Sequence, residues 1–269
     1  MSDFLLIGER LNTHRESFQK IVAARDKKAL LREVRRQQRA GATHLDVNTS
    51  ASKDTEAAEM LFVIETILPA LRPDVGIVID SASPECLVQT LDKLAGRTGT
   101  IINAISHDEI RAQNVLELAA KHQCGVIAVL SSPAGAPRSA DERINLAVQA
   151  HAKMTSAGIL EEKQFLDPQV LPLAFDPHQP RAVLETIMEL RRRWPSVRTL
   201  AGLSNISFNM PNRRLLNRTF LAMLLASGIN GLIVDPCDKL LRKTLLASRA
   251  LLGQDDFLTS YLSEITPDG

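Results

Sequence analysis

The chain has 269 residues, of which 45% are hydrophobic and 23% are charged, a composition typical of a globular protein that is long enough to bury a large core. Lys and Arg number 32 against 31 Asp and Glu, so the net charge of +1 provides no polybasic surface for nucleic acid or an anionic membrane. The three cysteines lack CxxC spacing, which argues against a disulfide framework and against a zinc knuckle.

Hydropathy gives no sign of a membrane segment. No run of about 18 apolar residues occurs. The apolar run at residues 4–7 is too short for a signal peptide, and acidic residues stand on either side of it. We therefore expect a cytoplasmic protein that neither enters a membrane nor binds nucleic acid.

Eight short apolar runs alternate with longer stretches that have helical periodicity. The runs that predict strands are 4–8, 43–48, 76–80, 100–103, 125–130, 164–167, 199–204 and 230–234. The stretches that predict helices are 27–39, 54–71, 84–95, 108–122, 139–157, 179–193, 214–227 and 238–252, with a short terminal one near 255–264. This rhythm predicts an α/β fold, with residues 1–269 forming a single (β/α)8 TIM-barrel domain. A doubly wound open sheet would place a GxGxxG turn after its first strand, where the chain reads IGERLNTHRES.

Polar residues end nearly all of the predicted strands. They are Glu9, Asn12, Asp46, Asn48, Asp80, Asn103, Ser131, Asp167, Ser204, Asn205 and Asp235. One Asp or Asn at a strand end would be explained by a helix cap or a turn. Because barrel active sites are built at the carboxyl ends of the strands, the recurrence favours a polar pocket. The two-residue period of a strand also places Asp46 and Asn48 on the same face.

The residue types in this pocket restrict its chemistry. No Lys ends a strand, which argues against a Schiff base, and no two His residues have metal-ligand spacing, so no directly bound metal is expected. The chain also lacks a GxSxG nucleophile motif. Carboxylates and amides remain. A carboxylate accepts two parallel hydrogen bonds from an amidine-like edge, such as that of a pterin, and an amide recognises an edge of mixed donors and acceptors.

Seven motifs along the chain point to one family. In order they are IGERLN (7–12), LDVN (45–48), IDS (79–81), INAIS (102–106), FLDPQVLP (165–172), GLSNISFNMPNR (202–213) and NRTFLAMLLASGINGLIVDPCD (217–238). Together they resemble the pterin-binding methyltransferases that move a methyl group between tetrahydrofolate and a corrinoid. That family includes methyltetrahydrofolate:corrinoid/iron–sulfur protein methyltransferase and the folate domain of cobalamin-dependent methionine synthase. The resemblance covers nearly the whole chain and implies a (β/α)8 barrel that forms a homodimer.

The resemblance implies roles for residues at the matching positions. Asp80, Asn103 and Asp167 are expected to hydrogen-bond the pterin ring. Asn205 matches the asparagine near N5, the ring atom that gains or loses the methyl group. We expect Asn205, with Asp167 as a neighbouring acid, to form the catalytic pair that stabilises positive character at N5.

Four further residues are expected to bind the folate substrate, tetrahydrofolate or 5-methyltetrahydrofolate. Ser204 and Arg213 fall in the same segment as the N5 asparagine, and Arg213 is also a candidate to meet the folate carboxylates. Asp46 and Asn48 match a polar pair on the second strand and are expected to position the ring.

The reaction that the resemblance implies needs a second protein. Methyl transfer between N5 and cobalt is a displacement that requires in-line geometry and little covalent help from the enzyme. The chain has no corrinoid-binding motif of the DxHxxG kind. Cobalamin or another corrinoid is therefore expected on a separate protein that docks over the barrel mouth.

Two alternatives stay open at this point, a dihydropteroate-synthase-like pterin enzyme and a non-catalytic folate-binding subunit. The synthase motifs SRK and INDVSGG are replaced here by LSNISFNMPNR and INAISHDE. The chain also departs from the methyltransferase pattern. Thr49 and Ser50 stand where a glycine is common, and Phe208 replaces a glutamine that some members carry.

Overall fold

The computed structural model describes residues 4–265, with the side chains of residues 264 and 265 left aside. Its strands are β1 Leu5–Asn12, β2 His44–Asn48, β3 Gly76–Asp80, β4 Thr100–Ile105, β5 Gly125–Val129, β6 Gln164–Asp167, β7 Arg198–Gly202 and β8 Gly231–Val234. Its helices are α1 Glu16–Ala23, α2 Lys27–Arg39, α3 Glu56–Ile67, α4 Pro84–Lys93, α5 Glu109–His122, α6 Ala140–Ser156, α7 Gln179–Arg193, α8 Arg213–Ser227, α9 Lys239–Leu251 and α10 Thr259–Ile265.

The eight strands close into a parallel barrel. Each strand pairs with the next in chain order, and β8 pairs with β1 to complete the ring. Helices follow the strands and cover the outside, so the predicted (β/α)8 barrel is confirmed. No helix within residues 4–265 is both long and apolar enough to cross a bilayer.

Side chains fill the barrel in layers because successive residues of a strand point to opposite faces. One cluster of buried side chains lies inside the ring: Leu5, Ile7, Val78, Ile101, Ile127, Phe165 and Leu200. The intervening residues pack outward against the helices in two larger clusters. Two residues beyond Val78, Ile101 and Phe165, the same inward face carries Asp80, Asn103 and Asp167, respectively. The alternation of the strands therefore delivers these polar side chains to the barrel mouth.

Side chains cap the helices at the end of the barrel where they begin. The residues whose side chains accept a hydrogen bond from a backbone N–H in the first turn are Asp26, Ser83, Asp108, Ser139 and Asp238. Such a cap typically contributes about 1 kcal/mol, and here it helps to fix the loops that surround the mouth.

Several element boundaries differ from the sequence-based prediction, including those of β1, α3 and β7. Strand β1 continues to Asn12 through an irregularity between Gly8 and Leu11, and the eight-residue helix α1 follows it. The predicted helix 54–71 ends at Ile67, and a 3-10 turn follows at Leu68–Ala70, where Pro69 has no N–H to continue the helix. Strand β7 ends at Gly202, so the residues after it leave the sheet.

Candidate active site at the barrel mouth

Four of the predicted site residues form a group of two hydrogen-bonded pairs at the ends of three adjacent strands. Asn48 Nδ2 donates to Asp80 Oδ2 at 2.8 Å, and Asn103 Nδ2 donates to Asp46 Oδ1 at 3.4 Å. The strand register explains the group, because Asn48 lies opposite Asp80 and Asp80 lies opposite Asn103. The sheet thus presents carboxylate and amide groups side by side on one wall of the mouth.

The two carboxylates of this group are held in an unfavourable environment. Burial raises the pKa of Asp46 well above its usual value, and the negative charge of Asp80 raises it further. Burial also raises the pKa of Asp80, while the hydrogen bond from Asn48 and the positive charge of Arg111 lower it. Two carboxylates that cannot both ionise easily are well suited to a ligand that brings hydrogen-bond donors.

Arg111 is a site residue that the sequence did not suggest. It lies in α5, outside the barrel ring, and its Nη2 donates to the carbonyl oxygens of Ala104 at 3.1 Å and Ser81 at 3.3 Å. These bonds tie the chain after β3 to the end of β4. The guanidinium thereby supplies a positive charge that lowers the pKa of Asp80, without belonging to any strand.

Asp167 forms the opposite wall, at the end of β6. The backbone N–H of Gln169 donates to Asp167 Oδ1 at 2.8 Å, which fixes the carboxylate in a tight turn. Burial raises the pKa of Asp167 to about 6, against the lowering effects of that hydrogen bond and of the Arg143 charge. At neutral pH this carboxylate is mostly ionised and poorly solvated.

The turn behind Asp167 is held by Arg143, a residue that sequence reasoning missed. Its side chain is fully buried in α6. Its Nε donates to the Pro168 carbonyl at 2.7 Å and its Nη2 to the Gln169 carbonyl at 3.5 Å. The helical period carried the signal, because Arg143 stands four residues before the buried Ala147 on the apolar face of the helix.

The segment after β7 is a short 3-10 turn, Leu203–Ser207, and not a continuation of the strand. It contains Ser204, which is half-buried, and Asn205, which is exposed. Arg213 clamps the turn, since its Nη2 donates to the Ser204 carbonyl and its Nε to Ser207 Oγ, both at 3.0 Å. Among residues 4–265 no hydrogen bond joins Asn205 to Asp167, so the catalytic pairing of these two residues stays a prediction.

Charged side chains at the ends of β8 and β1 form a network of ion pairs on the rim of the mouth. Arg10 Nη1 bonds Asp235 Oδ2 at 2.6 Å, and Arg15 lies 3.6 Å from both Asp235 and Glu9. Glu9 also shares a hydrogen bond with the Ser204 side chain, and burial raises its pKa to about 6. Glu9 ends a predicted strand but had no expected role. Its contacts give it one, because they connect β1 to the turn that carries Asn205.

The two departures from the family pattern have distinct surroundings. Thr49 is buried and its hydroxyl donates to the Glu56 carbonyl at 2.9 Å, while Ser50 Oγ donates to Asn48 Oδ1 at 2.8 Å. Phe208, directly after the 3-10 turn, is 52% exposed. No three His, Cys, Asp or Glu side chains within the described part of the chain are grouped as metal ligands.

Residues 8–235 match the pterin binding enzyme family, so this chain belongs to that family. Across 259 residues it is 25% identical to the methylcorrinoid:tetrahydrofolate methyltransferase of Eubacterium limosum, covering 96% of this chain and 94% of that protein. It is 29% identical over 243 residues to the methionine synthase of Mycobacterium tuberculosis, a match that covers 86% of this chain but only 20% of the synthase.

Solved structures of similar shape include dihydropteroate synthases. The Yersinia pestis enzyme superposes with a TM-score of 0.66 at 20% identity and covers 93% of each chain. The Coxiella burnetii enzyme, in complex with pteroic acid, gives 0.69 at 15% identity and covers 93% of this chain and 95% of its own. At this level of identity the likeness shows the shared barrel and nothing about the reaction.

The raised pKa of Asp46 leads to a prediction about the stability of the folded protein. Asp46 is 3% exposed, and its pKa is raised in the folded state relative to about 4 in an unfolded chain. Below about pH 4 both states are protonated and no penalty exists; as the pH rises through the folded pKa, stability is lost. Asp46→Asn, which keeps an acceptor for Asn103, should therefore raise the Tm by about a few degrees near pH 8 and hardly at all near pH 4.

Thermal unfolding of the ligand-free protein at the two pH values measures this difference. The exposed Asp54→Asn serves as the matched control and should leave the Tm unchanged at both. A gain from Asp46→Asn that is equal at the two pH values would show that ionisation of the pair is not its cause.

Proposed function

We propose that this protein is a methyltransferase that moves a methyl group between N5 of tetrahydrofolate and the cobalt of a corrinoid carried on a separate protein. The observation that carries the proposal is the wall formed by Asn48, Asp80 and Asn103, whose aligned acceptors and donors suit the edge of a pterin ring. The similarity to a methylcorrinoid:tetrahydrofolate methyltransferase, over nearly the full length of both chains, favours this reaction over others in the family.

The pterin would lie across the mouth between the two walls. Asp80 and Asp167 are the carboxylates that accept hydrogen bonds from ring N–H groups, and Asn103 contributes an amide to an edge of mixed pattern. Asp46 and Asn48 act indirectly: Asp46 accepts a hydrogen bond from Asn103, and Asn48 donates one to Asp80, so both ring-binding side chains are held in place. A ligand that supplies hydrogen-bond donors relieves part of the desolvation penalty on the carboxylates. The same desolvation that destabilises the ligand-free site therefore favours binding.

The methyl transfer itself needs little covalent help. From 5-methyltetrahydrofolate, the methyl carbon leaves N5 and bonds to the reduced cobalt, whose electron pair forms the new bond, while N5 keeps its own pair and takes up a proton. N5 is a poor leaving group unless it gains positive character. Asn205 is the residue we assign to stabilise that character, with Asp167 acting from the pterin side. In the opposite direction N5 attacks the methyl group on the corrinoid and releases the proton.

The 3-10 turn gives Asn205 a suitable place for this role. The turn stands above the strand ends, it is clamped by Arg213, and Ser204 connects it to the half-buried Glu9. An exposed amide on a clamped turn can face a substrate that enters from outside. Arg213 uses its guanidinium within the turn, so its contact with the folate carboxylates stays a prediction, as do the homodimer, the cytoplasmic location and the single domain over residues 1–269.

The partner is proposed to dock on the same rim. Phe208 exposes an aromatic ring three residues after Asn205, and its N–H donates to the Asn205 carbonyl at 3.1 Å. An exposed aromatic side chain beside the reacting group is a plausible anchor for a protein that must bring its corrinoid to N5.

The first test follows the loss of the methyl–cobalt absorption band when methylcobalamin and tetrahydrofolate are mixed with the protein. We expect folate-dependent demethylation that falls by about 100-fold or more in Asn205→Ala, since a group that assists proton transfer contributes at least that factor. The exposed Asn114→Ala in α5 is the control and should retain full activity.

A fall of less than about threefold in Asn205→Ala would remove Asn205 from the mechanism. Binding of 5-methyltetrahydrofolate without any turnover, even with corrinoid proteins supplied, would favour the non-catalytic folate-binding subunit. Dihydropteroate synthase activity in place of methyl transfer would favour the other alternative.

Folate binding should weaken in acid. Asp167, whose pKa is about 6, must be ionised to accept the ring N–H groups. The folate Kd should be flat above about pH 7 and rise by up to about tenfold per unit below about pH 6. Calorimetric titration of 5-methyltetrahydrofolate between about pH 5 and pH 8 measures this rise in Kd at low pH, the acid limb of the profile.

Two variants show which carboxylate causes the acid limb of the folate Kd. Asp167→Asn should bind more weakly and lose most of the rise in Kd near pH 6, because the carboxylate with a pKa of about 6 is gone and Asp80 alone remains to be protonated. Glu9→Gln should retain the limb, although Glu9 has a similar pKa. A limb of undiminished size in Asp167→Asn, or its loss in Glu9→Gln, would contradict the assignment.

Replacing Phe208 should impair the reaction with a corrinoid protein and leave the reaction with free methylcobalamin nearly unchanged. Phe208→Ala removes the exposed ring, so we expect KM for a corrinoid protein to rise by about tenfold, in line with the loss of an aromatic interface anchor. The rate with free methylcobalamin should change by less than about twofold. Phe175→Ala, which removes another highly exposed ring, controls for general surface effects; equal KM values for Phe208→Ala and the unmodified protein would exclude this contact.

A further inference from the structure

A chain of side-chain hydrogen bonds connects an exposed histidine to the pterin wall. His14 Nε2 lies 3.3 Å from Ser50 Oγ, Ser50 Oγ donates to Asn48 Oδ1 at 2.8 Å, and Asn48 Nδ2 donates to Asp80 Oδ2 at 2.8 Å. His14 follows β1 and Ser50 follows β2. The chain therefore runs from the surface, across two neighbouring loops, to the half-buried carboxylate of Asp80.

The donors and acceptors in this chain have one consistent direction. Ser50 has a single hydroxyl proton and gives it to Asn48, so its oxygen must accept a hydrogen bond from His14. Asn48 Oδ1 also accepts from the Ser50 backbone N–H at 2.9 Å. With its oxygen engaged twice, the Asn48 amide can only present its NH2 group to Asp80. The orientation of Asp80 thus depends on a serine hydroxyl that His14 holds in place.

The two loops are joined in other ways that place His14 accurately. The Thr13 N–H donates to the Asn48 carbonyl at 2.9 Å, and the Ala51 N–H donates to Thr13 Oγ1 at 3.2 Å. The His14 N–H donates to Asn12 Oδ1 at 2.9 Å, which holds the loop in a turn. The imidazole is exposed, but the backbone beneath it is fixed at both ends.

We propose that His14 is a positioning residue for the folate substrate, acting through Ser50 and Asn48 to hold Asp80 in the orientation that accepts the pterin edge. This rests on the proposed function, in which Asp80 binds the pterin. Engaging Asp80 Oδ2 with the Asn48 amide leaves the other carboxylate oxygen for the ring.

The surroundings of Asp80 support a role for His14 that Arg111 does not duplicate. The charged groups that act on Asp80 include Glu56 from α3, Arg111 from α5 and His14 from the loop after β1, and Asp46 on β2 faces it as a like charge. Arg111 bonds only backbone carbonyls and contributes charge, whereas His14 contributes a hydrogen bond that is passed on through two side chains. Loss of His14 should therefore disturb the orientation of the Asp80 side chain more than it changes the charge around that carboxylate.

The test is calorimetric titration of 5-methyltetrahydrofolate into a set of variants, with kcat measured at saturating folate. His14→Phe keeps the ring and loses the donor, and we expect the Kd to rise by about threefold to tenfold, as for the loss of one hydrogen bond. His14→Gln keeps a donor and should bind within about twofold of the unmodified protein. The kcat should stay within about twofold in both, because the role is in binding.

A double variant shows whether the effect passes through Ser50. Once Ser50→Ala has broken the chain, adding His14→Phe should weaken binding no further. His107→Phe is the matched control, since His107 Nδ1 lies 3.2 Å from Ser131 Oγ at another exposed His–Ser pair. It should leave the Kd unchanged.

Each contrary result has a separate meaning. Equal Kd values for His14→Phe and the unmodified protein, a His14→Gln variant as weak as His14→Phe, or additive losses in the double variant would each overturn the positioning role alone. Absence of folate binding by the unmodified protein would instead overturn the proposed function and, with it, this inference. All substitutions are at exposed or half-buried side chains, and unchanged Tm values will show that the variants are folded.

Discussion

Closure of the barrel places two carboxylates on neighbouring strands, and much of the mouth is organised around that constraint. Because β2 and β3 are in register, Asp46 pairs opposite Val78 and Asn48 opposite Asp80, so both acids end on the inward face within one layer of each other. Buried like charges raise one another's pKa, and they persist only where other groups compensate. Asn48, Asn103 and Arg111 supply that compensation from three separate elements.

The compensation is incomplete, and this has a functional meaning. Amide hydrogen bonds to a carboxylate favour its ionised form, but the pKa values of Asp46 and Asp80 remain raised because desolvation is the larger effect. A site that is fully satisfied when empty would gain little from a ligand. On the proposed function, an incoming ring with N–H donors would make hydrogen bonds that the protein leaves unmade, so part of the free energy lost on folding would be recovered on binding.

The sequence was sufficient for the wall on β2, β3 and β4 because the wall depends on local periodicity. Strands of period two, helices of longer period and polar residues at strand ends together predicted the barrel and placed Asp46 and Asn48 on one face of their strand. The residues that it missed are those whose role depends on contacts distant in sequence. Arg111 and Arg143 lie on helices and act on carboxylates of other elements.

The error in β1 shows the same limit in another form. An apolar run that stops at Gly8 predicted a short strand, but backbone pairing with β2 carries β1 on to Asn12, beside Asn48. That extension decides where the following loop lies. It brings His14 to Ser50, a contact between residues 36 positions apart that neither residue type nor spacing could reveal.

The mouth is asymmetric, and on the proposed function this asymmetry separates the residues that recognise the ring from the residue that assists the reaction. On the β2–β4 side, the acids are held by neutral amides on strand ends, a rigid arrangement that suits a flat ring of fixed pattern. On the β7–β1 side, Asn205 stands on a 3-10 turn that is connected to the barrel through Arg213 and through the Ser204–Glu9 hydrogen bond. A group that assists a methyl transfer must accommodate a change in charge at N5 and the approach of a second protein. Placing it on a clamped turn, outside the sheet, allows that adjustment without disturbing the carboxylates that hold the ring.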